Sequence, residues 1–184
     1  MDRLIVQLFR DISGDVYTVL IVTDTPRLIL RTWQLQDADA YSALLGETPS
    51  SHPDVMAKEP GSLAETELWR YQAELDKWGW SRWAVVFKEN NQLIGYCGFS
   101  PYGKHIEMSW RFLPEYRGRG LVLEAVEAVT QFGFIQLGID EIISYTTPNN
   151  EFAQGVMQQL GMTLDRFEGW STCTVARYRI QSPA

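Results

Sequence analysis

The chain has 184 residues, of which 45 % are hydrophobic, 12 % aromatic and 21 % charged, with a formal charge of −7. That profile fits one folded domain and excludes a disordered chain. The negative charge argues against a nucleic-acid partner, which needs a basic footprint to displace counterions from phosphates, and it suits a cationic one.

Residues 1–24 read as an N-terminal extension before a main domain spanning 25–184. Two β-rich runs, Leu4–Phe9 and Val16–Val22, flank Ser13-Gly14-Asp15 as in a hairpin. Such a hairpin extends the sheet, covers a neighbouring copy in a homodimer, or stands as an appended strand pair. Gln7, Arg10 and Asp11 interrupt its apolar runs, so it is neither a targeting signal nor a membrane span, which takes about 18 uninterrupted apolar residues.

A strand follows at Arg27–Arg31, then a helix capped by Asp37 with Tyr41, Leu44 and Leu45 at helical spacing and Gly46 at its end. The proline-rich stretch 47–61 reads as a loop. Ser62 and Glu65 form a capping-box signature before Ala64, Leu68, Tyr71, Leu75 and Trp78, which recur at helical spacing. Trp83–Lys88 and Gln92–Phe99 read as antiparallel strands around a polar turn. In the next strand Ile106, Met108, Trp110 and Phe112 alternate with His105, Glu107, Ser109 and Arg111, giving one packed and one polar face.

Pro114 stops that ladder, and a glycine-rich loop feeds a helix whose buried stripe is Val122, Ala125, Val126 and Val129, with Glu124 assigned to the solvent side. A strand at Glu141–Thr146, a helix from about Asn150 to Leu160 and a last strand over Cys173–Ile180 complete the chain. The element order is that of a mixed α/β (α+β) domain with a strand–loop–helix–strand crossover.

The loop Pro-Glu-Tyr-Arg-Gly-Arg-Gly (114–120) is the part that carries chemistry. Unsatisfied N–H groups and the positive end of the following helix make an anion cradle. Gly118 and Gly120 permit the sharp turn, and Arg117 and Arg119 add charge-assisted donors. The plainer readings are a tight turn and solvated arginines. Leu121 and Val122 exclude a nucleotide P-loop, and Leu123 stands where a dinucleotide fingerprint has its third glycine. Two histidines and two cysteines (Cys97 and Cys173) without ligand or disulfide spacing exclude a metal site and point to a reducing cytoplasm.

These residues resemble motif A of the GNAT N-acetyltransferases, Gln/Arg-x-x-Gly-x-Gly/Ala, with Glu115 as the departure at its first position. The stretches "TPRLILR", "WAVVFKENNQLIGYCGF", "IEMSWRFLPEYRGRGLVLEAV", "NEFAQGVMQQLGM" and "ARYRI" are similar to that family's RimJ/RimL-type branch over residues 25–180. The resemblance implies the GNAT acyl-CoA acyltransferase fold, a mostly antiparallel twisted sheet splayed at a V-shaped cofactor cleft and flanked by helices. It implies acetyl-CoA as cosubstrate, bound by Arg117, Gly118, Arg119, Gly120 and Leu121, by the backbone of Phe112 and Leu113, and by Asn150. It also implies direct transfer to an amine, with Glu107 as general base and His105 in reserve, although a Glu107–Arg111 ion pair is the structural alternative.

The family's tyrosine acid is replaced by Met157 and its motif serine by Ala153, leaving water or Tyr116 to protonate the thiolate. Most tryptophans read as core, with Trp78, Trp80 or Trp83 available to shape an acceptor pocket. The loops 47–61 and 165–172 are expected to choose the acceptor. That acceptor is a peptide or protein N-terminal amine, or alternatively a small amine such as an antibiotic or polyamine; a non-catalytic acyl-CoA-binding module is the remaining reading.

Overall fold

The structure, a computed structural model, describes residues 5–10, 16–46 and 60–183. Strands β1 (Ile5–Arg10), β2 (Val16–Asp24) and β3 (Leu28–Arg31) precede helices α1 (Ala38–Gly46) and α2 (Pro60–Trp78). A meander of β4 (Arg82–Phe87), β5 (Gln92–Tyr102) and β6 (His105–Phe112) leads into α3 (Leu121–Ile135). Then come β7 (Glu141–Thr146), α4 (Glu151–Gln159), β8 (Thr163–Gly169) and β9 (Thr174–Gln181).

The strands form one sheet in the order β1-β2-β3-β4-β5-β6-β7-β9-β8, with β6–β7 its one parallel pair among the described residues. This is the mixed architecture that the element order implies and the mostly antiparallel sheet that the resemblance implies. Pairing of β2 with β3 makes the N-terminal strands a continuation of the sheet. The Ser13-Gly14-Asp15 turn and most of the proline-rich loop, residues 47–59, lie outside the described residues.

β4 is buried along its whole length because helices cover both faces of the sheet. On one face α3 presents Leu121, Val122, Ala125, Val126 and Val129 to Trp83, Phe99, Met108 and Phe112. On the other, α1 and α2 pack Tyr41, Leu44, Leu68 and Tyr71 against Tyr96. Cys97 joins the first cluster and Tyr96 the second, as the period of two along β5 requires.

Three local expectations are corrected. Asp37 does not cap α1; it closes the Leu35–Asp37 turn, accepting from the Gln34 backbone N–H at 2.8 Å and from Arg31 at 2.7 and 2.9 Å. α2 begins at Pro60, so Ser62 lies inside it. Residues 165–169, read as part of the loop 165–172, belong to edge strand β8, whose charged sequence hides the alternation by which strands are recognised.

Candidate active site

β6 ends at Phe112, and one 3₁₀ turn (Pro114–Tyr116) carries the chain to Gly118 and Gly120 at φ +69° and +75°, the second capping α3. This left-handed backbone favours glycine and turns the free N–H groups of the first turn of α3 toward one point. The loop is tied from outside. Arg27 donates through Nη1 to the Arg119 carbonyl at 2.9 Å and through Nε to Glu124 Oε2 at 2.6 Å. Glu124 Oε1 also accepts from the Thr25 hydroxyl at 2.6 Å and the Arg27 N–H at 2.9 Å. Partial burial alone would raise the Glu124 carboxyl, but these donors hold it below the usual value. Glu124 is therefore a tether, not the solvated residue that its helical position suggests.

β6 and β7 pair only at Ile106–Ile142 and Glu107–Ile143, whereas β7 stays paired with β9 as far as Thr146. Beyond Glu107 the two strands diverge, and Ser144 Oγ donates to the Met108 carbonyl at 2.8 Å where the V opens. The Met108 carbonyl therefore faces β7, and the alternation of backbone groups directs those of Trp110 and Phe112 to the same edge, past the last residue paired with β7. The Leu113 N–H instead bonds the Ile94 carbonyl at 2.9 Å. The expected Phe112–Leu113 pair is thus replaced by Trp110 and Phe112 as the groups facing the opening.

A cavity of about 430 Å³ is lined by β6 residues of both parities, Glu107, Ser109 and Arg111 along with Trp110 and Phe112. Only where strands part can one cavity touch both faces of a sheet, so it passes through the V. On the α1–α2 side its walls are Tyr41, Tyr71 and Tyr96.

Arg82 lies buried beside those tyrosines, donating to Ser109 Oγ at 2.6 Å and Ser100 Oγ at 2.9 Å, with its guanidinium 5.6 Å from the Tyr71 ring centre. Burial alone would lower its pKa, but Tyr71, Tyr96 and Glu107 raise it. Burial likewise pushes Tyr71 up to about 12, against the opposing charge of Arg82. Glu107 is 3 % exposed, with Ser100 Oγ 3.5 Å from its Oε2 and Arg82 in its field.

The acetyltransferase (GNAT) domain model matches residues 27–163, which is most of the chain. The chain belongs to the GNAT acetyltransferase family. Its curated relatives include YnaD of Bacillus subtilis, an N-acetyltransferase 28 % identical over 146 residues, covering 78 % of this chain and 83 % of YnaD. Among solved structures, an acetyltransferase of Agrobacterium tumefaciens superposes with TM-score 0.74 at 24 % identity, over 86 % of this chain and 93 % of that one. RimL, a ribosomal L7/L12 α-N-protein acetyltransferase solved with coenzyme A, gives TM-score 0.74 at 13 % identity, over 88 % and 97 %. These likenesses establish the GNAT fold, and the family makes this chain an acetyltransferase; GNAT acetyltransferases use acetyl-CoA. The cradle fits such a donor: two left-handed glycines and a helix N-terminus, an arrangement suited to anions, lie between Arg117 and Val122, both of which line the cavity.

The residues singled out from the sequence separate under this geometry. Arg117 lines the cavity and donates to the Phe112 carbonyl at 3.0 and 2.8 Å. Arg119 turns away, its guanidinium 5.3 Å from the Phe87 ring centre and 5.6 Å from that of Tyr116. The Leu121 side chain is core, which leaves its backbone to the cradle. Asn150 lines the cavity and caps α4 through Oδ1, accepting from the Ala153 N–H at 3.1 Å.

Glu107 is at the passage, but His105 is not among the cavity residues. It sits 3.6 Å from Glu141 Oε1 and 3.5 Å from Arg177 Nη2, so it is set aside as reserve base. Tyr116, the suggested acid, instead bonds Gln92 at 2.8 Å and Asn90 at 3.0 Å outside the cavity. Trp80 and Trp83 are core, and Trp78 is exposed, so none of the three shapes the pocket. Arg82 and the tyrosine wall were missed. The one sequence signal for Arg82 is a cation opening an otherwise apolar strand, which reads as an ordinary strand end.

Proposed function

We propose that the protein transfers the acetyl group of acetyl-CoA directly to the α-amino group of a protein or peptide N-terminus. The observation that carries this is the passage at the V, which joins the backbone edge at Trp110 and Phe112 to the buried Glu107 carboxylate. Bound acetyl-CoA would supply an activated thioester, its phosphates held by the backbone of Gly118, Gly120 and Leu121 with Arg117 beside them. The Trp110 and Phe112 N–H groups would receive the thioester carbonyl oxygen, an oxyanion site built from backbone. Glu107 would take the proton of the attacking amine.

An α-amino group suits a single carboxylate base. With a pKa of ~8 it is about a tenth neutral at pH 7, whereas a lysine amine near ~10.4 is almost wholly protonated. RimL and the ribosomal-protein-S5-alanine acetyltransferase of Vibrio fischeri share the fold and are named for such acceptors, which supports the same class here. Met157 and Ala153 line the cavity at the places of the family's acid and serine, so the CoA thiolate leaves without a side-chain acid in this reading. Free Cys97 and Cys173 agree with a reducing, cytoplasmic setting.

The test is CoA release from acetyl-CoA in the presence of short peptides, for wild type and Glu107→Gln. The expected loss in kcat is ~10²–10⁴-fold, with CoA affinity kept. Wild-type protein that binds CoA yet acetylates no peptide and no small amine would replace this reading by the binding-module one.

A further inference from the structure

The local charge of the cavity reverses that of the chain. Four arginines (Arg70, Arg82, Arg111 and Arg117) and two glutamates (Glu67 and Glu107) line it, although the whole chain carries −7. Three of the arginines have protein partners: Arg70 binds Glu67 at 2.5 Å, Arg82 binds Ser109 and Ser100, and Arg117 binds the Phe112 carbonyl. The Arg111 side chain has no hydrogen bond or ion pair among the described residues, and its Nη1 is buried without a partner. A guanidinium cannot shed its charge at ordinary pH, so a buried nitrogen left bare is costly until an acceptor arrives.

We propose that Arg111 receives a carboxylate carried by the acceptor amine, making this an acetyltransferase for acidic or zwitterionic amines. The inference rests on the acetyl-transfer reading above. The face of the sheet identifies the ligand. Arg111 shares the parity of Glu107 and Ser109 and pairs across the ladder with Tyr96, which packs under α1 and α2. α3, which the phosphate cradle caps, packs on the opposite face with Met108 and Phe112. The anion for Arg111 therefore comes with the acceptor and not with the CoA phosphates.

Along β6, Glu107 and Arg111 are about 13 Å apart at the backbone, a span that their side chains and an acceptor of one or two residues can fill. Two sources offer this chemistry: the side chain of an acidic residue at the second position of a peptide, and the α-carboxylate of a free amino acid.

The experiment compares two matched pairs on the full chain: alanyl-aspartate amide against alanyl-asparagine amide, and alanine against alaninamide. The carboxylate member of one pair should show kcat/KM higher by roughly 10- to 100-fold, the worth of a charged hydrogen bond. Most of that gain should lie in KM, and the pair that discriminates names the source. Arg111→Gln should abolish the preference, and Arg111→Lys should restore part of it.

Melting-temperature shifts with the four N-acetylated products read binding without turnover. No carboxylate preference in the wild type by either readout, or a preference that survives Arg111→Gln, overturns the proposal. Carboxylate-dependent binding without acetyl transfer overturns the enzyme reading alone.

Discussion

Glu124→Gln tests whether the phosphate cradle is held from outside. The carboxylate accepts from Thr25 and the Arg27 backbone through Oε1, at 2.6 and 2.9 Å, and from Arg27 Nε through Oε2 at 2.6 Å. Glutamine keeps an oxygen for the first two donors but turns an NH₂ toward the third, so that donor faces donor. The Arg27 side chain is 45 % exposed, and water replaces much of what is lost. The expected destabilisation is about 1 kcal/mol, or roughly 2–4 °C in Tm for a chain of this size.

The functional effect follows from the Arg27 bond to the Arg119 carbonyl inside the cradle. If the released loop must be reordered on binding at a similar cost, the Kd for CoA rises about fivefold. Acid gives a second check. A depressed carboxyl contributes stability that is present above its unfolded pKa, ~4.3 for glutamate, and is lost as pH falls through the folded one. The Tm gap between wild type and variant should therefore be full at neutral pH and close as pH falls through and below about 4. Thermal unfolding and calorimetric CoA titration measure both effects. A variant with unchanged Tm and Kd, or a gap that persists in acid, would refute the tether.

Asn150→Ala removes the α4 cap and should cost about 1 kcal/mol, read as a fall in Tm, whereas Asn150→Asp, which keeps the acceptor oxygen, should lose little; equal losses would show that the cap bond contributes nothing. Ser144→Ala deletes the bond to the Met108 carbonyl where β6 and β7 part, and should lower stability by about 1 kcal/mol while speeding amide exchange at Met108; unaltered exchange would mean that the V does not depend on it. Burial pushes the Cys97 thiol up while Cys173 is exposed, so iodoacetamide should modify native protein at Cys173 alone and reach Cys97 only in denaturant; rapid native labelling of Cys97 would contradict its burial.

The sequence by itself determined much of the scaffold. The period of two over residues 105–112, the helical stripe of Val122, Ala125, Val126 and Val129, and a glycine loop between them are local patterns that the backbone must obey. The strand, cradle and helix could be read without neighbours for that reason. Glu107 was legible in the same way, as a carboxylate on the polar side of that strand. β8 was not, because an exposed edge strand has no buried face to impose an alternation.

Only the tertiary structure decided what the polar groups do. Whether Leu113 or Trp110 offers its backbone to the cleft depends on which neighbouring strand takes each hydrogen bond. The fate of three arginines depends on residues remote in sequence: Arg27 reaches Glu124 from 97 positions away, Arg82 reaches Ser109 from 27, and the Arg111 side chain finds no partner among the described residues. A chain pattern reports which face a residue joins; the charges that meet it there are set by how the strands and helices close around the cavity.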